Sequence, residues 1–139
     1  MEIQIIYQLF SATFLGALIG LEKEIKRKGA GLQTYSLVAL GACLFTLTVL
    51  SLNKSGIVAE PSSIFIAIAV GMGFIGGGVI FRGESGIAGL TTAAALWTTA
   101  AIGLAVGAQF YFLAILATFL TLLILIGFGW LEGKILKPR

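Results

Sequence analysis

The side chains able to do chemistry in this chain gather in its connections rather than in its apolar runs. Glu22, Glu24 and Arg27 follow the first apolar run, Thr34 opens the second, and Arg82, Glu84, Gly89, Thr91 and Thr92 surround the start of a later one. Two chemistries are open to such a set. A helix start presents free backbone N–H groups and the positive end of the helix dipole. Starts at Leu32 and Leu90, beside Arg27 and Arg82, could therefore hold an anion such as a lipid phosphate or a partner's carboxylate. Magnesium takes oxygen ligands, uses one or two carboxylates and keeps several waters. Glu22, Glu24 and Glu84 could supply them, but Lys23, Lys26, Arg27 and Lys28 share the first connection and oppose a dication there. A purely structural reading competes with both, because threonines cap helices and lysine and arginine mark a membrane surface. There is no histidine, which removes the commonest metal ligand and general base. Zinc chemistry and serine–histidine catalysis are excluded, and no catalytic residue, metal or cofactor is expected.

Composition sets the elements that must position these groups. The 139 residues are 58% hydrophobic and only 11% charged, with a mean hydropathy of +1.06. A soluble domain is near 45–50% apolar and about 25% charged, so this is an integral membrane protein. Five spans can be drawn: Ile3–Leu21, Leu32–Leu52, Ser62–Phe81 opened by Pro61, Leu90–Val106 and Phe110–Leu131. Each is close to the roughly 17–25 residues that cross a bilayer. No Asp, Glu, Lys or Arg falls inside them, and translocation sites usually rest on such residues. With five spans, eight basic residues lie on one side and only Lys54 on the other. The positive-inside rule then predicts an all-α bundle of five transmembrane helices, N-terminus outside and C-terminus cytoplasmic. The first run starts Met1-Glu2 without a basic region and is expected to stay as a helix, not to be a cleaved signal peptide. A net charge of +3, not gathered on one face, makes nucleic acid an unexpected partner, and the single Cys43 can form no disulfide within the chain.

Glycine placement predicts which spans meet. Gly16 and Gly20, Gly73 and Gly77, and Gly103 and Gly107 are three G-x-x-x-G pairs, the spacing that lets helix backbones approach closely. A wheel of the fourth span puts Thr91, Ala94, Thr98, Ala101 and Ala105 on one stripe. The third and fourth spans are therefore expected inside the bundle, and the fifth, bulky all round, on the lipid side. Gly31-Leu32-Gln33-Thr34 and Gly89-Leu90-Thr91-Thr92 each open a span after a connection carrying an arginine. They suggest a parallel repeat of two helix hairpins.

Two stretches, 16–40 and 71–107, carry a resemblance. Gly20-Leu21-Glu22 followed by Ala30-Gly31-Leu32-x-Thr34, then the glycine-rich helix, Arg82, and Gly89 to Ala94 with Trp97, resemble the MgtC/SapB family of bacterial inner-membrane proteins. The motifs cover nearly half the chain in the right order. The family's typical positions fall on Glu22, Arg27, Gly31, Thr34, Arg82, Gly89, Thr91, Thr92 and Trp97; Gln33 stands where members often have arginine. The resemblance implies a role in adaptation to low magnesium and in survival inside host cells, by acting on other membrane proteins, notably the F-type ATP synthase. Many members carry a soluble domain after the last span; the chain here ends at Arg139 and is expected to correspond to the membrane part alone. Three functions stay open: a non-enzymatic regulator working by helix contact, with a homo-oligomer, a dimer foremost, as its expected state; an oligomeric small-solute or ion transporter; and a platform for anionic lipid at Arg27 and Arg82.

Overall fold

Runs of about 20 apolar residues in lipid must satisfy their own backbone hydrogen bonds, and helices are how they do it. The computed structural model describes residues 2–27, 29–57, 60–83 and 86–136; Lys28, Glu84, Lys137 and Arg139 lie outside them. The helices are α1 (Glu2–Ile25), α2 (Leu32–Lys54), α3 (Pro61–Gly78), α4 (Leu90–Gly107) and α5 (Tyr111–Leu123). α5 continues through a π-helical turn at Ile124–Phe128, an α turn at Gly129–Leu131 and a second π turn at Glu132–Leu136. Four helical segments are long and apolar enough to cross a membrane; the apolar part of α3 is shorter, Ser62–Gly78. Pro61 sits in the first turn of α3, where its missing N–H costs nothing.

The third span is shorter than the sequence predicts. The helix ends at Gly78, and the chain forms a two-stranded antiparallel ribbon, β1 (Phe81–Gly83) with β2 (Gly86–Ala88). Three successive glycines are poor helix formers, and the apolar Ile80 and Phe81 extend the hydrophobic run without extending the helix. The first span, conversely, is longer. α1 runs on through Glu22 and Lys23, and both are buried, so charged residues do enter the packed ends of the bundle.

The centre also differs from expectation. α1, α2 and α4 form it, and α3 lies at the edge. Ala39 of α2 is fully buried between two glycine seams. A Cβ on Gly16 would stand 2.8 Å from the Ala39 Cβ and 2.6 Å from the Tyr35 carbonyl oxygen. A Cβ on Gly103 would stand 2.9 Å from the Ala39 Cα. Gly20 meets Leu32, and Gly107 meets Cys43 and Thr46, so these two G-x-x-x-G pairs are used inside the fold. Gly73 and Gly77 are not: both are exposed, with open space where a Cβ would go. α3 instead packs through Gly76, 3.5 Å from the Ala93 Cβ, and through buried Met72. The α4 stripe is corrected too. Thr91, Ala94 and Ala101 are exposed, Thr98 is half-buried, and the packed face is Thr92, Ala95, Thr99, Ile102 and Val106, with Ala105 common to both. Phe112, Leu113, Ile115, Leu116, Phe119 and Leu120 of α5 face outward as expected, but Ala114, Thr118 and Thr121 form a small inner face.

At the end opposite the basic cluster, Gln8 is buried and its Nε2 donates to the Val106 carbonyl (3.1 Å) and the Gly107 carbonyl (2.9 Å). It thereby gives the Gly107 carbonyl at the end of α4 a donor and shares the Val106 carbonyl with the Gln109 N–H (2.9 Å). Replacing Gln8 by Leu keeps the volume and removes both bonds. The expected loss is about 1 kcal/mol, two interhelical bonds at roughly 0.6 kcal/mol each, read from unfolding in mixed detergent micelles.

Candidate functional site at the basic end

The end of α1, the starts of α2 and α4, the ribbon and the π turns after α5 gather at one end of the bundle. Glu22 is its centre. At 8% exposure its carboxylate is out of solvent, with Lys26 Nζ 2.6 Å from Oε1 and Lys23 Nζ 3.8 Å from Oε2. The (i, i+4) spacing brings Glu22 and Lys26 onto one helix face. Neither carboxylate oxygen accepts a hydrogen bond of good geometry among the described residues, so the group is held by charge. Lys26 also donates to the Leu125 carbonyl at 3.0 Å. That carbonyl belongs to the first π turn, where the helical bonding pattern shifts to i→i+5. One lysine thus ties the end of α1 to the far half of the last helix.

Glu24 does a different job. Its Oε2 accepts from the Leu32 N–H at 3.1 Å, capping α2, and its carboxylate lies over Gly31 where a Cβ would collide with it. The start of α2 therefore already has its anion, which corrects the expectation that it is free to hold a phosphate. Arg27 takes a left-handed backbone, φ 51°, and its N–H donates to the Glu24 carbonyl at 3.0 Å, turning the chain towards α2. Gly89 at the start of α4 also has positive φ, 90°, and packs so closely on the Val79 carbonyl that no side chain fits. Gly31 has φ −123°, so the two Gly-Leu openings of the suggested repeat differ in backbone conformation.

Of the sequence-predicted residues, the fold draws Glu22 and Thr92 inward and leaves Arg27, Arg82 and Thr91 exposed; Thr34 and Gly89 are half-buried. Thr92 is reached from α2, where the buried Tyr35 hydroxyl donates to its carbonyl at 3.3 Å. Among the described residues neither arginine forms an ion pair. No group of three or more His, Cys, Asp or Glu side chains there could hold a metal. Glu22 is committed to lysines and Glu24 to a helix start; Glu84, the third carboxylate considered, lies outside the described residues. Gln8, Tyr35, Lys23 and Lys26 carry the polar contacts that the motifs did not single out. A polar side chain within an apolar span is itself a signal, and it would have found Gln8.

These features define a small multi-pass helical membrane protein with an ionic knot around buried Glu22 at one end and, among the described residues, no charged pathway through its middle. The chain belongs to the MgtC family, whose model matches residues 9–134, and is a multi-pass bacterial membrane protein. It is 38% identical to YhiD of Escherichia coli strain K12, over all of this chain and 67% of that one. It is 41% identical to SapB of Bacillus subtilis strain 168, over 97% of this chain and 61% of that one. It is 40% identical to MgtC of Salmonella typhimurium strain LT2, over 84% of this chain and 49% of that one. The chain spans about half to two thirds of the length of these relatives. No solved structure matches it.

Proposed function

We propose that this chain is a non-enzymatic protein of the bacterial inner membrane that acts by helix-to-helix contact with other membrane proteins or with a second copy of itself. The observation that carries the reading is the fate of the three G-x-x-x-G pairs. Two are consumed inside the fold, and Gly73 and Gly77 are left facing outward on α3, at the edge of the bundle. Small residues on an exposed membrane helix permit close approach by another helix. The chain crosses the membrane five times, with its N-terminus outside and the basic end in the cytoplasm, in keeping with the charge count. Family membership supports a role in adaptation to low magnesium, and with it survival inside host cells; the F-type ATP synthase is the kind of partner such a helix face would meet.

The test replaces Gly73 and Gly77 one at a time by Cys in a chain whose Cys43 is Ala, and oxidises intact membranes. A dimer or a defined adduct trapped through either position, and through no outward position of α5, is the expected result. A strictly monomeric chain with no adduct ends this reading. The second reading, an oligomeric transporter, is favoured by one relative: YhiD is provisionally described as a magnesium transporter. Magnesium flux into vesicles holding the purified protein would favour it.

A further inference from the structure

Between α2 and α3 runs an apolar groove of about 560 Å³. Its α2 wall extends from Thr34 to Phe45 and its α3 wall from Ile75 back to Ile64. Thr34 is two residues inside the start of α2, and Ile75 three residues before the end of α3. Both walls therefore begin at the basic end and run inward together. Eleven helical steps at about 1.5 Å give a length of roughly 16 Å, and half of a hydrocarbon core of about 30 Å is roughly 15 Å. The groove has the depth of one leaflet. Among the described residues lining it, Thr34 is the sole polar one, and it stands at the end nearest the cations.

We propose that the groove seats one acyl chain of an anionic phospholipid, with its headgroup at the basic end beside Arg82. Arg82 is exposed, and it follows the end of α3 by four residues in β1. The charge is complementary: an exposed arginine attracts a phosphate at the same end where the apolar channel opens. Glycines make the channel wide. A Cβ on Gly41 or Gly71 would meet open space, so the groove's width at these two points exists because side chains are missing. This surface lies on the side of α3 opposite Gly73 and Gly77, so it does not depend on the helix-contact reading above.

The test is native mass spectrometry of the protein released from vesicles of phosphatidylglycerol and phosphatidylethanolamine. Gly41→Leu with Gly71→Leu fills the groove from two open positions and improves helix propensity, so the bundle stays folded. The wild type is expected to carry one retained lipid, mostly phosphatidylglycerol, and the double variant to lose it. Arg82→Glu is expected to keep a lipid while its preference for phosphatidylglycerol falls by about fivefold or more, the scale of one basic residue at an anionic surface. Equal retention by the double variant, an unchanged preference in Arg82→Glu, or a wild type released without lipid overturns the proposal. A wild-type dimer that the double variant abolishes overturns it as well, in favour of a second chain as occupant.

Discussion

Gly103→Leu is expected to open the bundle. The new Cβ would fall on the backbone of Ala39, whose Cα stands only 2.9 Å from that point. Backbone cannot rotate aside as a side chain can, so α4 must move away from α2. Ala39 is fully buried, and the same residue faces Gly16 of α1, so moving α4 also loosens the seam with α1. Overpacking of a core costs about 1–3 kcal/mol where neighbours can relax. Here the obstacle is backbone on a central helix, and a loss of at least about 3 kcal/mol is expected. The measurement is unfolding in dodecyl sulfate with tryptophan fluorescence as readout. Gly73→Leu and Gly77→Leu are the controls: both positions are open, so either variant should unfold within about 0.5 kcal/mol of wild type, as ordinary outward-facing substitutions do. If Gly103→Leu and Gly77→Leu behave alike, the assignment of inner and outer glycine faces fails.

Glu22→Gln should rank next. The change keeps shape and removes one negative charge from between two ammonium groups, at 2.6 Å and 3.8 Å. Lys23 is 4% exposed and holds a further interaction besides Glu22, so the ammonium that loses most is that of Lys26, in the close contact. Removing one partner of a buried ion pair costs about 3–5 kcal/mol, chiefly because it strands the other. Lys26 is more exposed and can swing outward, which brings the expected loss to the lower part of that range, about 3 kcal/mol. Its departure would also break the bond to the Leu125 carbonyl. Hydrogen exchange should therefore rise around residues 124–128 as well as at the end of α1. Added protection loss confined to α1 would show that Lys26 does not join the two segments. Lys26→Met with Glu22→Leu removes both members of the close pair and should cost less than Glu22→Gln alone if stranded charge is the main term.

Much of this architecture follows from composition. Apolar length and the placement of nine basic residues are enough to divide the chain into helices, because lipid allows few other ways to pair a backbone. Gly16, Gly20 and Gly103 are likewise readable, since closely packed membrane helices call for small residues. What could not be read was direction. In water, burial follows apolarity, and a helix shows its inner face as a stripe. In lipid, both faces of a helix are apolar, so nothing in α3 distinguishes Met72 and Gly76, which pack, from Gly73 and Gly77, which do not. The same ambiguity put Thr91 and Ala94 on the inside of α4, where Thr92 and Ala95 belong.

The candidate site divides in the same way. Local sequence determined that Glu22 and Lys26 share a helix face, since the spacing alone places them there. Only the tertiary structure decided that this pair is buried, that Lys26 meets a carbonyl 99 residues away, and that Glu24 rather than a ligand closes the start of α2. Helix formation and membrane insertion are set by a segment's own residues, whereas the partner of a charged side chain is fixed by which distant backbone arrives beside it.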